Sequence, residues 1–268
     1  WLRRVPAVLA VLLLALPALA QAAPVAGGDG GAAGAMAGAG LQPIQPVHEK
    51  AALITVEDTI DAVTLKSIER RVDEARKAGA TLVVYQIDAT GGLMESALEI
   101  SAFNKRLAAE HMAVAAWVRG NASGAAAVVA LSCPQIVMSE TGALGAVGTF
   151  DMPAGAPVPP VLADVEDSAK QGHISAAVVR AMAIPDAELL ELKNDATGET
   201  RYADEAGAKA LTDEKTEAPG GSAVRPWHVV GEAKKKGEVL ILTGPDAQKM
   251  AVSKATVNGE EDLRAVMN

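Results

Sequence analysis

The sequence predicts an α/β domain built on a parallel sheet that is covered by helices on both faces. Half of the 268 residues are hydrophobic, which is enough for one large core. Apolar runs rich in β-branched residues alternate along the chain with stretches of helical periodicity. These apolar runs are nearly continuous, as is typical of strands that are buried on both faces of a parallel sheet.

The first three predicted elements form a βαβ unit. Strands are predicted at 52–57 and 81–88, because both are short apolar runs with many β-branched residues. The stretch 64–79 between them is predicted to be a helix. Its apolar residues recur at helical spacing, at Leu65, Ile68, Val72 and Ala75.

Further β-α pairs follow along the chain. An amphipathic helix is predicted after Gly91 and Gly92. The run 112–118 predicts a buried strand, 125–132 a short apolar helix, and 135–139 the next strand. Because the carboxyl ends of parallel strands meet at one edge of a sheet, a functional site is expected in the loops at that edge.

The C-terminal part of the chain has a less regular pattern. Residues 151–163 are rich in proline and are not expected to form regular structure for long. The remaining predictions are a helix from 164 to about 183, a polar stretch at 193–221, a hairpin that pairs 225–230 with 238–242, and a short helix at 245–250.

The first 46 residues have the composition of a signal peptide followed by a tether. Residues 1–22 contain two arginines, an apolar run of about 16 residues and an Ala-Gln-Ala cleavage pattern. The run is shorter than the roughly 20 residues that span a bilayer, so we expect export to a periplasmic, secreted or membrane-associated location. Residues 23–46, rich in Gly, Ala and Pro, predict a flexible tether, and 47–268 predict one folded domain.

Charge and composition argue against several classes of function. A formal net charge of -9 with 3% aromatic residues disfavours nucleic-acid binding, which needs a basic surface and stacking rings. The single cysteine, Cys133, has no partner for an intrachain disulfide. The four histidines form no HxxxH or HExxH pair, so no metal and no cofactor are expected.

Two loops rich in small residues follow predicted strands. The first contains Gly91 and Gly92, which allow backbone N–H groups to approach an oxyanion closely. The second contains Ser123 and Gly124 at the start of an apolar helix, where N–H groups and the helix dipole favour negative charge. An ordinary turn for the first loop and an N-cap role for Ser123 explain the same residues without catalysis.

Taken in order, these segments resemble the Clp protease-like serine peptidases, in particular the NfeD-type membrane-bound proteases related to signal peptide peptidase A. The resemblance rests on 59–64, DATGGLMESALEI at 88–100, NASGAA at 121–126, IVMSETGALGAVG at 136–148 and the tail 238–263. It implies a Clp protease/crotonase-like fold of repeated ββα units. It also implies an exported, homo-oligomeric serine endopeptidase that acts on hydrophobic or membrane-associated protein segments, with a stomatin-like membrane protein as partner.

The resemblance further implies a Ser-Lys dyad. Ser123 corresponds to the family's nucleophile, and Lys170 corresponds to its lysine when the family's helix after the Pro-rich loop is laid on this chain. Ser123 would attack the peptide carbonyl while a neutral Lys170 takes its proton and later returns it. The N–H groups of Gly92 or Gly91 and of Gly124 would hold the oxyanion.

Three alternatives stay open from the sequence. A Ser-His-Asp triad could use Ser123 with His173 or His111. A catalytically inactive scaffold could bind a stomatin-like partner, because the first loop has Asp-Ala-Thr-Gly-Gly where the family usually has proline before the glycines. A crotonase-type acyl-CoA enzyme would share the fold, but export would separate it from intracellular CoA.

Overall fold

The computed structural model describes residues 50–150, 158–217 and 223–267. The predicted signal peptide at 1–22 and the tether at 23–46 lie outside these residues. The strands are β1 (Ala51–Ile60), β2 (Leu82–Gly92), β3 (Ala113–Ser123), β4 (Gln135–Met138), β5 (Ala143–Gly145), β6 (Leu189–Asn194), β7 (Thr200–Ala203), β8 (Thr216–Glu217), β9 (Ala223–Val224), β10 (Trp227–Lys234) and β11 (Ile241–Thr243). The helices are α1 (Ala62–Lys77), α2 (Met94–Ala109), α3 (Ala125–Leu131), α4 (Pro160–Gln171), α5 (Ala176–Ala181), α6 (Glu205–Asp213), α7 (Gly244–Lys249) and α8 (Glu260–Met267).

The main sheet has the strand order β1-β2-β3-β5-β11, and β4 also pairs with β3. Strands β1 to β5 pair in parallel, as the sequence predicts, while β11 joins β5 in antiparallel orientation at one edge. A second, antiparallel sheet has the order β10-β6-β7. Strand β3, which is central in the main sheet, therefore has β2 on one side and first β4, then β5, on the other.

Helices cover the main sheet on both faces. Alternate residues of β2 belong to different hydrophobic clusters: Val83 and Tyr85 face one cluster, whereas Leu82 and Val84 face the other. All seven residues of α3 are buried in the larger cluster. On the opposite face, the C-terminal segment is attached to the sheet because Trp117 Nε1 donates a hydrogen bond of 2.9 Å to the Val257 carbonyl oxygen. This double covering explains the nearly continuous apolar strands.

Two predictions for the C-terminal part are wrong. The predicted hairpin does not form, because β10 pairs with β6 and β11 pairs with β5. The predicted helix from 164 to 183 is divided into α4 and α5, since the chain turns at Gly172 and His173, where His173 has a φ of 57°. The polar stretch at 193–221 contains β7 and α6, which belong to the second sheet and its covering helix.

Candidate active site

Ser123 is the last residue of the central strand β3. Its register places it opposite Thr90 on β2 and opposite Gly145 on β5, at the carboxyl edge of the parallel strands. The residue that caps α3 is Gly124, not Ser123, and Gly124 has the sharp-turn conformation φ 60°, ψ -125°. Ser123 is half-buried, and no hydrogen bond of its side chain is found among the described residues. The N-cap interpretation of Ser123 is therefore wrong.

The two glycine-containing loops meet at this edge. A Cβ atom on Gly124 would lie 3.1 Å from Gly91 Cα, so the two loops are in van der Waals contact. Gly91 and Gly92 have φ values of 68° and 118°, which favour glycine. A Cβ atom on Gly92 would also collide with the backbone of Ile60. The structure thus brings together four of the predicted site residues, and close approach favours glycine at Gly92 and Gly124.

The backbone N–H of Gly124 is hydrogen-bonded within the chain. It donates to the carbonyl oxygen of Ala146 at 3.0 Å. Ala146 has a φ of 45° and is held in place from both sides, since its own N–H donates to Leu240 and the N–H of Val147 donates to Met182. In this conformation, the predicted oxyanion donor is therefore paired with Ala146.

Lys170 is not brought to Ser123. It lies in the last turn of α4, and its side chain is exposed. The end of α4 lies against Pro134, because a Cβ atom on Gly172 would be 3.4 Å from the Pro134 carbonyl oxygen. Pro134 follows the C-terminal end of α3, whereas Ser123 precedes its N-terminal end, and a helix of this length spans about 10 Å. Within the described ranges, no hydrogen bond or ion pair joins Lys170 to Ser123.

Helix α4 is fixed to α2 by ion pairs. Lys105 Nζ lies 2.8 Å from Asp164 and 2.9 Å from Asp167. The hydrogen bond from Lys105, together with its charge, holds the pKa of Asp167 below its usual value. Glu166, one turn before Lys170, pairs with Arg180 instead. Both carboxylates near Lys170 in the sequence therefore have other cationic partners.

The histidine alternatives do not fit the geometry. His111 precedes β3 at its amino end, whereas Ser123 ends the same strand, and a strand of this length spans about 30 Å or more. His173 follows α4 on the side of Pro134 and is exposed. Cys133 is buried, and burial strongly raises the pKa of its thiol, so it is an inert core residue. In the part of the chain that the structure describes, no group of three His, Cys, Asp or Glu residues is arranged to hold a metal ion.

Asp88 was not identified from the sequence as a residue of the site. Its Oδ1 atom accepts a hydrogen bond of 2.9 Å from the backbone N–H of Asn121, two residues before Ser123. The carboxylate also occupies the space that a side chain at Gly120 would need. The only signal in the sequence is an acidic residue at the end of a buried strand, which many surface loops share.

Sequence comparisons identify relatives of this chain. The family profile described as "NfeD1b, N-terminal domain" matches residues 50–212. Membrane protein NfeD1b from Bacillus subtilis (strain 168) is 27% identical over 144 residues, which are 52% of this chain and 32% of that protein. This chain thus matches about one third of the length of its curated relative. No helix in the described residues is sufficiently long and apolar to cross a membrane.

Solved structures share the fold. A serine-to-alanine mutant of the 1510-N membrane-bound stomatin-specific protease has a TM-score of 0.50 at 15% identity, over 80% of this chain and 82% of that chain. A lysine-to-alanine mutant of 1510-N in complex with a substrate peptide has a TM-score of 0.51 at 14% identity, over 80% of this chain and 77% of that chain. This likeness confirms the predicted Clp protease-like α/β fold.

Proposed function

This chain belongs to the family of NfeD1b N-terminal domains, and from that membership we propose that it is an exported serine endopeptidase. Its substrates are hydrophobic or membrane-associated protein segments. The observation that carries the proposal is the position of Ser123. This half-buried serine ends the central strand, precedes a sharp turn at Gly124 and lies beside the Gly91 loop. Such a strand-turn-helix arrangement presents a nucleophile at the edge of a sheet.

The proposed reaction is acyl transfer through Ser123. Ser123 Oγ attacks the carbonyl carbon of the scissile peptide bond, and its proton passes to the general base. The N–H groups of Gly124 and of Gly91 or Gly92 stabilise the oxyanion, which requires Gly124 to release Ala146. The base returns the proton to the leaving amine, and water then hydrolyses the acyl-enzyme by the same steps in reverse order.

Lys170 is the general base in this proposal. It must be neutral to accept the serine proton, and it must come within hydrogen-bond distance of Ser123 Oγ. Since α4 ends beside Pro134, this approach requires α4 to move relative to α3. The ion pairs of Lys105 with Asp164 and Asp167 oppose that movement. The catalytically competent form is therefore one in which these contacts are rearranged.

The proposed partners come from the relatives. The 1510-N protease is described as stomatin-specific, and one of its structures contains a substrate peptide. We propose a stomatin-like membrane protein as substrate or partner of this chain, and a homo-oligomer as its working form. Export by the segment 1–22 would give the domain a periplasmic, secreted or membrane-associated location.

Two variants test the assignment of the catalytic residues. Cleavage of unfolded or hydrophobic peptides by the purified domain should be abolished by Ser123→Ala. Lys170→Ala should abolish it equally if Lys170 is the base. Retained cleavage in Ser123→Ala would refute the serine assignment. Loss in Ser123→Ala with full activity in Lys170→Ala would show that the base is another residue.

A catalytically inactive scaffold is the second candidate, and two observations favour it. The N–H of Gly124 is already paired with Ala146, and Lys170 lies at the opposite end of α3 from Ser123. A scaffold would bind a stomatin-like membrane protein without cleaving it. Binding that is unchanged by Ser123→Ala, with no cleavage by the wild-type domain, would support the scaffold over the peptidase.

A further inference from the structure

An irregularity in β3 determines where Ser123 lies. Up to Val118, β3 pairs with β2 in regular register, with Ile87 opposite Val118. The next paired residues are Ala89 and Ala122. Three residues of β3, 119–121, therefore stand against a single residue of β2, which is Asp88, and they form a bulge.

The strand also changes its other neighbour at this bulge. Residues 115–118 of β3 pair with β4, whereas 121–123 pair with β5. Because of this change, Ser123 is placed between Thr90 and Gly145. At the bulge, β3 therefore stops pairing with β4 and begins to pair with β5, and it ends at Ser123, the proposed nucleophile.

The side chain of Asp88 fills the bulge. Its Oδ1 accepts a hydrogen bond of 2.9 Å from the N–H of Asn121, so it replaces a hydrogen bond that the irregular ladder does not supply. Gly120 lies against the same carboxylate, because a Cβ atom at this position would collide with Oδ1. Both the charge-assisted hydrogen bond and the close contact fix the path of 119–121.

We infer that Asp88 is a positioning residue that sets the register of β3 at Ser123. Without its carboxylate, the N–H of Asn121 loses its acceptor and the bulge loses the group that fills it. A slip of one residue turns a strand's side chains to the opposite face of the sheet, so Ser123 would lose its register with Thr90 and present Oγ on the other face. The expected loss of Ser123 reactivity rests on the proposed function, whereas the expected change in the backbone at 119–124 does not.

Four forms of the full chain test the inference: wild type, Asp88→Ala, Asp88→Asn and Asp204→Ala. Asp204 is the matched control, because its carboxylate accepts one backbone hydrogen bond of 2.8 Å from Gly207 at the start of α6, in the second sheet's layer. The rate of labelling by a fluorophosphonate probe should fall about tenfold or more in Asp88→Ala. Asp88→Asn keeps an oxygen acceptor and should stay within about twofold of wild type. Asp204→Ala should label at the wild-type rate.

Amide hydrogen exchange across 119–124 gives a second measurement that needs no activity. Exchange in this segment should accelerate about tenfold in Asp88→Ala and remain unchanged in Asp88→Asn and Asp204→Ala. If Asp88→Ala does not fold, Asp88→Glu replaces it, since the extra methylene moves the carboxylate away from the position that it holds beside Gly120, and the same acceleration is expected.

The outcomes separate this inference from the proposed function. If the wild-type chain is not labelled, the proposed function fails. The rate of amide hydrogen exchange at 119–124 is then the measurement that tests the role of Asp88. Faster exchange in Asp88→Ala than in Asp204→Ala would then support it. Unchanged exchange in Asp88→Ala, or equal labelling of Asp88→Ala and wild type, would overturn it.

Discussion

The N–H of Gly124 donates a hydrogen bond of 3.0 Å to the carbonyl oxygen of Ala146. This bond joins the residue after the proposed nucleophile to the loop that follows β5. The Ala146 carbonyl oxygen thus accepts the hydrogen bond of the N–H group that an oxyanion would need. Because Gly124 has no Cβ and a φ of 60°, the planar peptide group between Ser123 and Gly124 can reorient through ψ of Ser123 and φ of Gly124 with little steric hindrance. The resting and reactive states would thus differ in the partner of one N–H group.

Modification of Ser123 should therefore change the environment of the Gly124 amide. When a fluorophosphonate reacts with Ser123, a phosphoryl oxygen should replace the Ala146 carbonyl as the acceptor of the Gly124 N–H. The Gly124 cross-peak in a ¹H–¹⁵N spectrum should then shift, whereas that of Gly198, a turn glycine with open space around it, should not. A labelled protein with an unshifted Gly124 cross-peak would contradict this exchange of partners.

Replacement of Gly124 by alanine should impair both stability and reactivity. The new methyl group would lie 3.1 Å from Gly91 Cα in a backbone conformation that disfavours L-residues. We expect the free energy of unfolding in urea to fall by about 1–3 kcal/mol, together with slower labelling of Ser123. Gly237→Ala is the control, since Gly237 has a φ of 89° but no atom near its missing Cβ. It should lose stability while labelling at the wild-type rate. Equal labelling of both variants would show that the Gly124–Gly91 contact is unimportant.

The anchoring of α4 should make stability depend on pH. Hydrogen bonding and charge from Lys105 lower the pKa of Asp167 in the folded chain relative to the unfolded chain. The ion pair therefore stabilises the fold above about pH 4, and this contribution is lost as the pH falls through the lowered pKa of Asp167. Lys105→Met should flatten the dependence of the urea midpoint on pH between about pH 5 and 2. Lys66→Met, which removes an exposed lysine of α1, should leave it unchanged. An unchanged profile in Lys105→Met would show that Lys105 does not set this pKa.

The strands of the main sheet can be predicted from the sequence because each one is a short apolar run of consecutive residues. Runs such as 81–88 and 112–118 appear as strands in the structure, since residues buried on both faces leave an apolar run. Pairing between distant segments has no such local signal. For this reason the sequence predicts a hairpin that pairs 225–230 with 238–242, whereas β10 completes the second sheet beside β6 and β11 pairs with β5.

The candidate site shows the same division between local and distant information. Gly91, Gly92 and Ser123 end strands and Gly124 follows one directly, so the topology of the sheet brings them together. Lys170 depends on where an independent helix packs, and Asp88 depends on a bulge in the neighbouring strand. Neither a helix position nor a bulge can be derived from residue spacing.

Covalent labelling shows directly whether Ser123 is a nucleophile. A fluorophosphonate probe should label the wild-type domain, and mass spectrometry should place the adduct on Ser123. Ser67→Ala is the control, because Ser67 is also half-buried but lies on α1. If the chain is a serine peptidase, the Ser67→Ala variant is labelled and Ser123→Ala is not. An unlabelled wild-type domain, or equal labelling of Ser123→Ala, would contradict that function.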